Sequence, residues 1–71
     1  MGMSSPTTKA EAREQIAKLQ GDIAREKASL AYQKSQYKSG HAKASQANQM
    51  QRIANMKAKI AELRAKIPSL P

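Results

Sequence analysis

The sequence predicts an all-α protein, a two-helix antiparallel hairpin with a coiled-coil-like seam. Three observations support this prediction. Alanine, lysine and glutamine, which are common in helices, make up much of the chain, and phenylalanine and tryptophan are absent. Large apolar residues recur at heptad spacing in two long segments. Gly40 separates these segments at a point where a helix can end.

The first predicted helix runs from about residue 8 to 38 and follows a flexible lead-in at residues 1–7. Thr8 and Glu11 have the spacing of a capping box, in which each side chain binds a free backbone N–H at the helix start. Gly21 costs this helix about 1 kcal/mol relative to alanine and is a candidate kink. The predicted seam consists of Ala12, Ile16, Leu19, Ile23, Leu30 and Tyr37.

The second predicted helix runs from about residue 41 to 66, after a turn at residues 39–41 in which Gly40 acts as a left-handed C-cap. Its seam is more regular and consists of Ile53, Met56, Ile60, Leu63, Ile67 and Leu70. Pro68 ends this helix because proline lacks a backbone N–H, and residues 68–71 are expected to form an extended tail.

Two long helices joined by so short a turn must run antiparallel. One register pairs most of the apolar residues, and the residue numbers of each facing pair add up to 79. The pairs are Ala12–Ile67, Ile16–Leu63, Leu19–Ile60 and Ile23–Met56. The same register places Glu26 opposite Ile53 and leaves Leu30 opposite Gln49, so the half of the seam near the turn is polar. We therefore expect the hairpin to dock on a partner or to form a homodimer, as a four-helix bundle.

The charge pattern indicates an anionic partner. The chain carries thirteen lysines and arginines and five acids, which gives a net charge of +8. The segment that begins with Lys27 and ends with Ala61 contains seven of those cations, Lys27 included, and no carboxylate. Such a stretch repels itself unless an anion offsets it, which favours nucleic acid, an acidic protein surface or anionic lipid as the partner.

Heptad labelling, with Ile16 and Ile53 at position a, assigns the charges to two edges that flank the seam. The e edge comprises Arg13, Gln20, Lys27, Lys34, Lys43, Met50, Lys57 and Arg64. The g edge comprises Gln15, Asp22, Ser29, Arg52, Lys59 and Lys66. The g edge mixes both signs, whereas the e edge holds six cations and no anion. The e edge extends over about 32 Å at the rise of an α-helix.

Two interpretations of the e edge remain open, a solvated basic surface and an anion-binding stripe. Like charges that recur across a seam weaken it, which favours the stripe. Lysines outnumber arginines nine to four, and lysine acts as a point charge, so we expect contacts with the phosphate backbone of nucleic acid and little sequence readout. The predicted anion-binding residues are Arg13, Lys27, Lys34, Lys38, Lys43, Arg52, Lys57 and Arg64.

The alternative is a protein-interaction module, namely a small adaptor, assembly factor or inhibitor that docks on an acidic or apolar surface. The polar seam near the turn motivates this alternative, because apolar side chains there need a partner to be buried. Methionine also suits adaptable contacts. The candidate interface residues are Leu30, Tyr37, Met50 and Met56.

Other classes of function find no support in the residues. Cysteine is absent and His41 is the only histidine, so we expect no catalytic residues, no metal site and no cofactor. No apolar run reaches the roughly 18 residues of a membrane span, and no signal-peptide pattern opens the chain. The small apolar face, without Trp or Phe, also disfavours a membrane surface as the partner. The expected location is cytoplasmic.

Ser39-Gly40, followed by Arg52-Ile53-Ala54 and Lys57, resembles the small helical-hairpin protein of the large ribosomal subunit. The resemblance implies a helical hairpin with RNA as its partner. It is confined to residues 39–57, and the chain lacks that family's denser arginines and its aromatic–leucine run before the turn. We therefore do not assign the chain to this family.

Overall fold

The computed structural model describes residues 5–36 and 40–71. Two helices, α1 (Lys9–Gln36) and α2 (Gly40–Lys66), pack against each other, and a short 3-10 helix (Ile67–Ser69) follows α2. No strand occurs in these two described ranges. The molecule is elongated, with dimensions of 49 × 20 × 15 Å. The predicted all-α hairpin is thus confirmed, while self-association into a four-helix bundle stays a prediction.

The core of the hairpin is the predicted heptad seam. The buried residues of α1 are Ala12, Ile16, Leu19, Ile23 and Leu30, and those of α2 are Gln46, Gln49, Ile53, Ile60 and Leu63. Every one of these residues occupies heptad position a or d. Leu63 is fully buried, and Met56 and Ile67 pack against the apolar cluster from its margin. Two buried glutamines make the seam polar toward the turn, as predicted.

Two polar contacts agree with the predicted register of the helices. Arg52 Nη2 lies 3.4 Å from Glu26 Oε2. Near the chain ends, the Lys9 N–H donates to the Pro71 backbone oxygen, with 2.9 Å between the two atoms. The residue numbers of these pairs add up to 78 and 80, on either side of the predicted 79. The register therefore agrees with the apolar pattern to within one residue.

The start of α1 is capped by the two predicted residues and by one more. Thr8 Oγ1 accepts the Glu11 N–H at 3.1 Å, which is the first half of the capping box. The Glu11 carboxylate does not return to Thr8 but accepts from the Thr7 N–H at 3.2 Å and from the Thr7 hydroxyl at 3.1 Å. Thr7 and the buried Pro6 thus belong to the helix start, although the sequence places both in the lead-in.

The turn differs from its prediction. α1 ends at Gln36, and α2 already begins at Gly40, whose φ is not positive. Gly40 therefore starts the second helix instead of ending the first as a left-handed C-cap. His41 is an exposed residue in the first turn of α2. Tyr37, Lys38 and Ser39, which the sequence assigns to the end of helix 1 and the turn, lie outside the described residues.

The chain after α2 is also more ordered than an extended tail. Pro68 lies in the first turn of the 3-10 helix, where its missing N–H breaks no hydrogen bond. The Leu70 N–H donates to the Ile67 carbonyl at 3.1 Å, and the Ser69 hydroxyl donates to the Lys66 carbonyl at 2.9 Å. Of the predicted tail, Leu70 has extended backbone angles.

Replacing Gly21 with alanine is expected to stabilise the hairpin. α1 is continuous through Gly21, and no atom lies within 4 Å of the place a Cβ would take. Gly21→Ala should raise the free energy of unfolding by about 1 kcal/mol, measured by urea denaturation followed by circular dichroism. As a control, Ala17→Gly at another exposed position of α1 should lower it by a similar amount. Unchanged or lower stability of Gly21→Ala would mean that α1 requires a glycine there.

Candidate anion-binding edge

The e edge is open to solvent along the hairpin. All eight of its residues are exposed, namely Arg13, Gln20, Lys27, Lys34, Lys43, Met50, Lys57 and Arg64. On the g edge, by contrast, Gln15, Asp22 and Lys59 are half-buried. A large partner can therefore reach every cation of the e edge without any rearrangement of the helices.

Carboxylates lie away from the e edge. Asp22 pairs with Arg25, and Glu26 pairs with Arg52. Glu62 lies 3.7 Å from Lys59 and 3.4 Å from Lys66, measured between side-chain oxygen and nitrogen. Within residues 5–36 and 40–71, no cation of the e edge lies within 4.0 Å of a carboxylate oxygen. Three of the five acids thus pair with cations elsewhere, and the e edge keeps its six positive charges.

Heptad labelling groups the e-edge residues into four levels along the hairpin, each with one residue of α1 and one of α2. From the end with the chain termini to the turn, the levels are Arg13 with Arg64, Gln20 with Lys57, Lys27 with Met50, and Lys34 with Lys43. Successive levels are one heptad apart, which is about 10.5 Å of helix. The two outer levels each carry two cations, and the two inner levels carry one each.

The g edge holds a shallow groove of about 620 Å³. It is lined by Asp22, Arg25, Glu26, Ser29, Gln49, Arg52, Asn55 and Met56. Its two carboxylates and two guanidinium groups pair with each other, so their formal charges cancel. Arg52, predicted to support anion binding, thus lies beside a carboxylate on the g edge and not among the cations of the e edge. The sequence pattern missed the pair because it assigned Glu26 to the seam.

The candidate protein-interface residues lie in different environments. Leu30 is buried inside the hairpin, so it finds an apolar environment without the external partner that the sequence suggested. Met56 is half-buried against the same cluster. Met50 is 51% exposed on the e edge, and Tyr32, which lies on neither edge, is 61% exposed. Tyr37 lies outside the described residues.

Metal sites, membrane spans and relatives give no further indication of function. In the described part of the chain, no group of three or more His, Cys, Asp or Glu side chains could hold a metal ion. Neither α1 nor α2 contains an apolar stretch long enough to cross a membrane. Comparison with protein-family models, curated proteins and solved structures found no match. The e edge is therefore the feature of the described chain that bears on function.

Arg13→Glu is expected to stabilise the fold although it removes a cation from the e edge. The new carboxylate would face Arg64 and would lie four residues after Lys9, so two repulsions between cations would become attractions. The free energy of unfolding should rise by about 0.5 kcal/mol at low salt, and the gain should shrink at high salt. Thermal and urea denaturation at both salt concentrations measure this difference.

Lys18→Glu is the matched control for this prediction. It makes the same charge change at an exposed position that lies four residues from both Glu14 and Asp22. Because like charges at that spacing repel on a helix, this variant should lose stability. A loss of stability in Arg13→Glu as well would contradict the assignment of Arg13 and Arg64 to one level.

Proposed function

We propose that this protein is a non-enzymatic helical-hairpin module that binds nucleic acid by contacting its phosphate backbone with the e edge. The observation that supports this proposal is the separation of charge between the two edges. Six exposed cations share one edge with no carboxylate nearby, while three of the acids pair with cations elsewhere. Like charges across a seam weaken it, so this arrangement is favourable when an anion covers the edge.

A polyanion suits the e edge better than a compact anion does. The four levels extend over about 32 Å, so a small anion can contact one level at most. A phosphate backbone offers charges along the whole edge, and binding releases the counterions that both surfaces hold. The contacts in this proposal come mainly from lysine, which holds phosphate without reading bases. They are Arg13, Lys27, Lys34, Lys43, Lys57 and Arg64.

The salt dependence of binding tests this proposal directly. If six phosphates are neutralised, the binding constant should fall by about three orders of magnitude between about 50 and 200 mM salt. The triple variant Lys27→Gln, Lys34→Gln, Lys57→Gln should lose about half of the slope of log K against log salt. Fluorescence anisotropy with a random-sequence oligonucleotide measures both quantities.

The control is a second triple variant with the same net charge, Lys18→Gln, Lys59→Gln, Lys66→Gln, in which all three cations lie off the e edge. Its salt slope should stay close to that of the unchanged protein, because these lysines do not face the bound backbone. Equal losses in the two variants would show that net charge, and not the e edge, drives binding. Circular dichroism confirms that both variants remain helical.

Met50 favours a second candidate function, docking on an acidic protein surface. An apolar side chain that is 51% exposed among cations suits a partner surface that combines carboxylates with apolar groups. Under this function, Met50→Ala should weaken the protein complex about tenfold, or about 1.4 kcal/mol. Under nucleic-acid binding, the same variant should leave the affinity and its salt slope unchanged, because it removes no charge. Titration of both kinds of partner with this variant separates the two functions.

A further inference from the structure

We infer that the nucleic acid on the e edge is double-stranded DNA in its B form, with the hairpin parallel to the duplex axis across one helical turn. This inference rests on the proposed function and specifies its partner. It follows from the distances between the four levels and from the number of cations that each level carries.

The distance between the outer levels matches one turn of the duplex. Arg13 and Lys34 are 21 residues apart in α1, and Lys43 and Arg64 are 21 residues apart in α2. Both intervals correspond to about 32 Å along a helix. In B-form DNA, a strand returns to the same side of the duplex after about 34 Å. Both outer levels, each with two cations, can therefore contact the same strand.

The inner levels match the position of the other strand. Between two passages of one strand, the opposite strand crosses the same side of the duplex once. The minor groove is about 6 Å wide and the major groove about 12 Å wide, so this crossing lies near one third or two thirds of the turn. Lys57 and Lys27 lie at about one third and two thirds of the e edge. In either orientation of the hairpin, one of these two lysines meets the opposite strand, so a B-form duplex engages five of the six cations directly and the sixth lies over a groove.

Other forms of nucleic acid fit the e edge less well. Proteins that bind single strands stack bases on aromatic side chains. In the described residues the aromatic side chain is Tyr32, which lies away from the e edge at heptad position c. An A-form RNA duplex has a narrow, deep major groove and a wide, shallow minor groove. Its strands therefore do not cross one side at the spacing of the inner levels.

Binding to duplexes of graded length tests this geometry. Anisotropy titrations at about 50 mM salt would use the full chain and DNA duplexes of about 6, 9, 12 and 15 base pairs, from half a turn to one and a half turns, each closed at one end by the same short loop so that the shortest stay paired. Affinity should rise about tenfold or more up to about 12 base pairs and then level off, because the second outer level gains its contacts at that length. A single strand with as many phosphates as the duplex of about 15 base pairs should bind the protein at least about tenfold more weakly than that duplex does.

A pair of matched variants shows whether the outer levels act as inferred. Lys34→Gln with Lys43→Gln removes two charges from one outer level, and Lys27→Gln with Lys57→Gln removes two from the inner levels. The outer variant should lose the gain in affinity between half a turn and a full turn of DNA, whereas the inner variant should keep it. Loss of that gain in both variants, or in neither, contradicts the inferred spacing.

Different results overturn the inferred B-form duplex and the proposed function. A single strand or an RNA duplex that binds as tightly as a DNA duplex of equal charge overturns the inference and leaves the proposed function intact. A smooth rise of affinity with duplex length also overturns the inference and leaves the proposed function intact. Absence of a salt-sensitive complex with any of these nucleic acids overturns both.

Discussion

The packing of isoleucine and leucine across a single seam is the interaction on which the rest of this structure depends. In a two-helix hairpin, each helix has one neighbour on which to bury its apolar side chains. The buried Ile16, Ile60 and Leu63 therefore fix the rotation of both helices and their register at the same time. Once the register is fixed, so are the residues that share each level of the e edge. The packing of the apolar core therefore determines which basic residues lie together on the e edge.

The charged residues on the two edges of the seam have different surroundings. Those on the g edge form ion pairs, whereas those on the e edge are exposed to solvent. On the g edge, pairs such as Glu26–Arg52 place opposite charges together, yet an exposed ion pair contributes less than about 1 kcal/mol. Like charges on the e edge cost a similarly small amount. Neither edge can outweigh a seam of buried aliphatic side chains, each worth about 1.5–3 kcal/mol when fully buried. The distribution of charge on the two edges therefore has little effect on the stability of the fold, and it can be suited to binding.

Much of the fold could be predicted from the sequence because heptad spacing carries both the seam and the register. Exposure of the e-edge residues follows from the same labels, whereas their binding of an anion stays a prediction. The features that the sequence did not predict depend on individual backbone and side-chain contacts that heptad spacing does not specify. Gly40 can end one helix or start the next, and spacing does not separate these roles. Glu26 occupies a seam position, but its carboxylate reaches the guanidinium of Arg52 outside the seam.

The hydrogen bond between the Lys9 N–H and the Pro71 oxygen holds the start of α1 beside the last residue of the hairpin. One end of the two-helix rod is joined through the chain between α1 and α2, and the other is joined by this contact. The contacts of the seam therefore do not depend on which helix comes first in the chain. A circular permutant opened between Gln36 and Gly40 would retain these contacts. A domain fused after Pro71 would emerge at the end of the rod that holds Arg13 and Arg64, away from Lys34 and Lys43 at the other end.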